Sequence, residues 1–185
     1  ARAGRNLSFR NTLYDLSGRV EFNFVDIQDL GGRGMDHTKL HVYAFVGFGM
    51  IRHNPQAFYE DNWEDLRPLQ TEGILYSTYV AVLPAGIGTY LTIKNKFRAG
   101  WELTWTTAFT DYLDDISTNY IDIPASQNIR YGLANRNGEV DPDRKAAAGV
   151  YYLPGEKRGD PTHNDSYLIS QFTASYVLRS KSSVY

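Results

Sequence analysis

The chain has 185 residues, with 19 Lys plus Arg against 21 Asp plus Glu and no cysteine. That is about one domain's worth of polypeptide. The charge balance gives nothing to draw a phosphate backbone, and the missing thiols exclude disulfides, thiolate metal sites and a cysteine nucleophile.

With 14 Tyr, 9 Phe, 3 Trp and 16 Gly, at a mean hydropathy of -0.42, the composition suits β structure better than helix. The first residues, Ala1 to Asn6, lack the apolar stretch of a secretory signal. That start is expected of a mature chain, a fragment or a cytosolic protein. The longest apolar run, Val42 to Ile51, is well short of the ~20 residues of a membrane-spanning helix. Strands that face lipid on one side and a wet interior on the other escape this measure, because their residues alternate.

Taken in chain order, five segments carry a period of two. In the first, over Thr12 to Asp26, Leu16, Val20, Phe22 and Phe24 alternate with Asp15, Ser17, Arg19, Glu21 and Asn23. The second, Lys39 to Arg52, sets Leu40, Val42, Ala44, Val46, Phe48 and Met50 against a small or aromatic face of His41, Tyr43, Phe45, Gly47 and Gly49. The third, Ile74 to Thr92, contains Gly86 and Gly88, which let large neighbours cross an interior, and Pro84, which is awkward for a fully paired strand. The fourth is the clearest: from Phe97 to Thr110 one face reads Phe97, Trp101, Leu103, Trp105 and Phe109, and the other Arg98, Glu102, Thr104 and Thr106. The fifth, Tyr167 to Arg179, alternates less cleanly. A run of fourteen residues exceeds the five or six of an ordinary sandwich strand, whereas a tilted strand crossing a bilayer needs about 9–11.

The connections alternate between short and long. Ile93 to Lys96 is a tight turn, whereas segments 54–72 and 111–165 are long and rich in Pro, Asp, Asn and Gly, and read as loops. Outer-membrane barrels have this asymmetry, with short periplasmic turns and long outer loops. The glycine-containing connection from Gln28 to Thr38 then falls on the periplasmic side. Five strands cannot close, and barrels have even counts with eight as the minimum. The expectation is therefore an all-β, antiparallel up-and-down transmembrane β-barrel, a single domain over residues 1–185. About five of its eight strands are expected in this chain, with roughly three N-terminal ones lacking from it or supplied from elsewhere. The alternative is further strands within 111–165, whose runs 120–123, 129–133 and 150–153 suit an outer hairpin, although the segment is read as loop.

On this reading Arg19, Glu21, Arg98 and Glu102 project into the interior, where charges must be paired, and plug it rather than line a pore. Phe22, Phe24, Phe97, Trp101, Trp105 and Phe109 face lipid, the terminal aromatics near the interfaces. A soluble lipocalin-like barrel is the reversed alternative, but it would have to pack large rings from every strand into a small bore.

No metal is expected. His37 and His41 diverge across a strand, and Asp111, Asp114, Asp115 and Asp122 do not follow a calcium-loop spacing. An outer-membrane enzyme acting on lipid would draw on His53 or His163 with Ser117, Ser126 or Ser166, but no Gly-x-Ser-x-Gly pattern ties them together.

Three stretches carry a family likeness: residues 47–59 (Gly-Phe-Gly-Met-Ile-Arg-His-Asn-Pro-Gln-Ala-Phe-Tyr), residues 63–73, and residues 100–117 with the block Phe-Thr-Asp-Tyr-Leu-Asp-Asp. In them, and over most of the chain from Leu7 to Arg179, the sequence resembles the PorG-like outer-membrane barrel proteins of Bacteroidota. The resemblance implies a non-catalytic component of the type IX secretion and gliding machinery. Such a barrel anchors or organises a periplasmic ring of PorK-like and PorN-like proteins, with no cofactor and no catalytic residue. Topology offers Gln28, Arg33, Asp36, Lys94 and Asn95 as the contacts to that ring.

Overall fold

The computed structural model describes residues 6–28, 30, 38–139, 153–176 and 178. Its elements are strands β1 (Arg10–Asn11), β2 (Tyr14–Ile27), β3 (Lys39–Arg52), β4 (Pro55–Tyr59) and β5 (Asn62–Asp65), helix α1 (Leu66–Leu69), strands β6 (Tyr79–Ile93) and β7 (Phe97–Ala108), helix α2 (Asn128–Ala134), a 3-10 turn at Arg136–Glu139, and strand β8 (Ser166–Tyr176). The fold is all-β and antiparallel, as expected, with two short helices.

The five long strands form one sheet in the order β2-β3-β6-β7-β8, a meander in which sequence neighbours among the long strands are sheet neighbours. β7 and β8 pair antiparallel from Phe97↔Tyr176 to Thr107↔Ser166. β3 and β6 also run oppositely, since Phe45 lies against Gly86 and Tyr43 against Gly88. The β6–β7 hairpin turns on Lys94 (φ 52) and Asn95 (φ 51), closed by Lys96 N–H donating to the Ile93 carbonyl at 3.1 Å. Two consecutive positive φ values give the turn whose twist matches that of its strands. Among the described residues this sheet is open, with β2 and β8 at its edges; a closed barrel is not formed by them.

The chain divides into two compact units. The one built from Ser17–Gly49, Val82–Thr107 and Ser166–Tyr185 holds most of the five-stranded sheet. The other comprises Ala1–Leu16, Met50–Ala81 and Ala108–Asp165, and includes the three-stranded sheet β1-β4-β5. The connection 54–72 is thus structured: β4 and β5 form a hairpin over Glu60 and Asp61, both at positive φ, and α1 follows directly. Ala57, Leu66 and Leu133 form one hydrophobic cluster of this unit, joined by Tyr59 and Leu69.

Two local expectations give way. β6 begins at Tyr79, not Ile74, because Gly73 sits at φ +76 and Tyr76 turns inward to bond Asp115 rather than to extend a ladder. Within 111–165, read as loop, the described residues carry short ordered pieces. Residues 129–133 lie in α2, Asn119 makes an isolated bridge with Lys157, and residues 150–152 fall outside the described residues. Pro84 is accommodated inside a continuous β6, its ring near the position a Cβ on Gly47 would take.

Candidate functional site

Period-two alternation separates the long strands into two faces of opposite chemistry. On the apolar face β2 exposes Leu16, Val20, Phe22 and Phe24, and β3 exposes Val46, Phe48 and Met50. β6 adds Tyr79, Leu83, Ile87 and Ile93, and β7 adds Phe97 and Trp105, with Phe109 just beyond its end. The β7–β8 register keeps this face continuous, setting Trp101 opposite Phe172 and Trp105 opposite Leu168. Phe172 is 83 % exposed, and Leu16 likewise. Trp101, on the same face, is half-buried and its indole N–H donates to Ser170 Oγ at 2.9 Å. The apolar residues are contiguous across the sheet, far beyond the scattered singles normal on a protein in water.

The opposite face carries a hydrogen-bonded charge network. Its centre is Glu102 on β7, 4 % exposed. Arg19 donates to Glu102 Oε1 at 2.8 Å, and Gln171 donates to the same oxygen at 3.0 Å. The Tyr43 hydroxyl donates to Oε2 at 2.7 Å and Thr104 to Oε1 at 3.3 Å. Arg19 also pairs with Glu21 at 3.0 Å and stacks over the Phe45 ring at 4.5 Å. A buried carboxylate is tolerated only with such a complement of charge-assisted donors.

Of the four residues expected in this network, Arg19, Glu21 and Glu102 come together. Arg98 does not join them; it covers the Tyr90 ring at 4.4 Å, whose other neighbours include the stacked His41 at 4.5 Å. Tyr43, Thr104 and Gln171 were not singled out from the sequence, although Tyr43 belonged to the small-or-aromatic face of β3. Gly86 and Gly88 are what admit the large rings: a Cβ on Gly86 would overlap the Phe45 ring and the Leu103 carbonyl, and one on Gly88 the Tyr43 ring.

The expected partner contacts divide. Lys94 and Asn95 form the exposed tip of the β6–β7 hairpin, and Gln28 is exposed just past β2. Arg33 and Asp36 lie outside the described residues, as does His37.

The unit containing the long connections carries a second buried charge network. Arg158, 2 % exposed, bonds Glu72 Oε1 at 2.8 Å, lies 3.7 Å from Asp115 Oδ2 and donates to the Asp115 carbonyl. Glu72 also accepts the backbone N–H groups of Ser117 and Thr118 at 3.0 and 2.8 Å. Asp115 accepts the Thr71 hydroxyl and, at 2.8 Å, that of Tyr76. Burial raises the Asp115 carboxyl and the Tyr76 hydroxyl above their ordinary values. Beside this network an open cavity of about 600 Å³ is lined by Asp111, Asp114, Asp160 and Asp165 together with Leu7, Phe9 and Ile116. Desolvation, reinforced by neighbouring carboxylates, pushes Asp111 up to about 6 and Asp114 up to about 7.

Among the described residues no group of His, Asp and Glu is arranged to hold a metal ion. Neither described candidate histidine meets a serine hydroxyl. His53 is buried with Nε2 on the Ser77 carbonyl at 2.9 Å, and the exposed His163 contacts Thr162 and Asp160. No protein-family model, curated protein or solved structure matches the chain.

Proposed function

We propose that the chain is part of an integral outer-membrane β-barrel that acts by position rather than by catalysis, anchoring or organising a periplasmic assembly of a type IX secretion and gliding machine. The observation that carries the reading is the pairing of a contiguous exposed apolar face with a buried, fully engaged carboxylate on the opposite side of the same strands. Water as the surrounding solvent would penalise the first, whereas hydrocarbon outside and a filled interior satisfy both. The strands, at 11 to 15 residues, are long enough to cross a bilayer at a barrel's tilt.

Curvature toward the polar face supports a barrel. Arg19 is on one edge strand and Gln171 on the other, yet both donate to one oxygen of Glu102. In a five-stranded antiparallel meander the two edges run the same way, so antiparallel closure requires an odd number of further strands. Three make eight, the count at which side chains fill the bore. The Glu102 network then seals the interior, and the barrel conducts nothing.

The machine and its ring of PorK-like and PorN-like proteins follow from the sequence resemblance to PorG-like barrels, and the contact from topology: the Lys94–Asn95 hairpin tip and Gln28 face the periplasm, and 54–72 and 111–165 the exterior. A photo-cross-linker at Asn95 in cells should capture a periplasmic ring protein, and one at Trp63 should not. Capture from Trp63 with none from Asn95 would invert the topology and overturn the role.

A further inference from the structure

The ends of β2 and β3 nearest β1 and β4 border an open cavity of about 250 Å³ lined by Thr12, Tyr14, Arg52, His53, Asn54 and Gln56. Its polar groups fall into two sets. The amides are engaged: Asn54 and Gln56 both donate to Asp65 Oδ1, at 2.8 and 2.6 Å, and Gln56 accepts from Arg10 at 2.9 Å. Asp65 is thereby held by two donors.

The second set is not engaged. Among the described residues no hydrogen bond or ion pair takes up the Thr12 hydroxyl, the Tyr14 hydroxyl or the Arg52 guanidinium. The other described arginines of the same unit have partners: Arg10 lies over Trp63, Arg67 donates to the Tyr76 carbonyl, Arg130 to that of Gln70, and Arg136 and Arg158 pair with Glu139 and Glu72. His53 is fully buried. Its Nε2 faces the Ser77 carbonyl, which puts the proton there, and its Nδ1 is left an acceptor without a partner among the described residues. Burial lowers the His53 pKa and keeps the ring neutral.

The site also has a defined height. Tyr14 precedes Leu16 by two residues and Arg52 follows Met50 by two, so both continue the apolar face at the end of its strands. Tyrosine at that level is the residue of the membrane interface. A guanidinium fork there matches phosphate oxygens. The Thr12 and Tyr14 hydroxyls beside it match a polyol, not a simple anion.

We propose that this cavity seats the phosphorylated sugar headgroup of an outer-leaflet glycolipid: Arg52 holds the phosphate, Thr12 and Tyr14 bond the sugar, and the acyl chains descend over Leu16 and Met50. The inference rests on the membrane reading above and deepens it by naming the lipid that the outer rim selects. Phosphate is common to a glycolipid headgroup, a phospholipid and the free ion, so the test compares all three.

The full barrel, purified in detergent, is reconstituted into nanodiscs of phosphatidylcholine containing either lipopolysaccharide or phosphatidylglycerol, and bound lipid is counted by native mass spectrometry with and without inorganic phosphate. The wild type should retain lipopolysaccharide over phosphatidylglycerol, with no competition from millimolar phosphate. Arg52→Ala should weaken that retention about tenfold, the loss of one charge-assisted contact, and Arg52→Lys should recover part of it. Lys157→Ala, a surface charge removed elsewhere, should change nothing. Equal retention of the two anionic lipids, displacement by free phosphate, or an Arg52→Ala variant that holds lipopolysaccharide as the wild type does would each overturn the proposal. Those results leave the membrane reading intact, whereas a wild type that fails to enter nanodiscs removes both.

Discussion

Glu102 is the residue whose loss should damage the sheet most. Replacing it with alanine removes the acceptor of four hydrogen bonds, from Arg19, Tyr43, Gln171 and Thr104. Two consequences dominate. The Arg19 guanidinium loses a charge-assisted bond worth about 1.5–3 kcal/mol, and the buried Tyr43 hydroxyl is left without a partner at about 1–3 kcal/mol. Arg19 keeps Glu21 at 3.0 Å and its side chain is 39 % exposed, so part of its loss is recovered from water and the second carboxylate. The expected destabilisation is therefore about 3–4 kcal/mol.

With a urea slope of about 2–3 kcal/mol/M the unfolding midpoint in detergent micelles should fall by about 1–2 M. Glu102→Gln, which keeps an acceptor and the side-chain volume, should lose about half as much. A double-mutant cycle between Glu102→Ala and Arg19→Met should return a coupling of about 1–2 kcal/mol. An alanine variant within about 0.5 kcal/mol of the wild type would refute the argument that the interior is held by this carboxylate.

Arg158→Ala should destabilise the unit of the long connections by about 3–5 kcal/mol, because Glu72 and Asp115 stay buried without their cation. Limited proteolysis between Glu72 and Asp165 reads this directly, with Lys157→Ala, an exposed neighbour, as the unchanged control. Gly88→Ala should prevent native assembly by driving a methyl group into the Tyr43 ring, and a Tyr43→Val change in the same chain should partly restore folded yield.

A pH dependence follows from the acidic cavity. The folded-state values of Asp111 and Asp114, near 6 and 7, lie above the ordinary carboxyl value of 3.8, so the folded state binds these protons more tightly than the unfolded chain. Stability from these groups is full below about pH 4 and is lost as pH rises through 6 to 7. His53 works the other way, since its lowered value costs stability as pH falls below 6.5. The thermal midpoint of the wild type should therefore change more steeply between pH 5 and 8 than that of Asp114→Asn, and identical profiles would contradict the assignment.

The long strands were legible because one solvent or core lies on each face and the side-chain period of a strand is two. The Phe97-to-Thr110 alternation gave β7, and the Arg19, Glu21 and Glu102 triad came with it. The Ile93-to-Lys96 turn was legible for its brevity. What local reading lacked was long-range pairing. Nothing near Tyr43 in the chain announces that its hydroxyl reaches Glu102, 59 residues away, and nothing near Thr71 or Tyr76 announces Asp115. The glycines at 86 and 88 were the available signal, since a strand gives up two side chains where another must cross.

The connections were harder. Segment 54–72 is polar enough to pass for loop, yet its Glu60–Asp61 pair at positive φ closes the β4–β5 hairpin. Residues 129–133, with apolar and β-branched members, suit a strand as readily as the helix they form. Arg98 shares the phase of Glu102 on β7, but its guanidinium covers the Tyr90 ring on β6 at 4.4 Å.

The most direct measurement is solvent identity at the two faces of β7 and β8. Nitroxide labels at Trp105 and Phe172 on one face, and at Ser175 on the other, would be read by power-saturation spectroscopy with oxygen and with a polar nickel chelate in reconstituted bilayers. The account predicts oxygen-rich, nickel-poor surroundings at Trp105 and Phe172 and the opposite preference at Ser175. Nickel access at Trp105 and Phe172 equal to that at Ser175 would mean that this apolar face does not meet lipid.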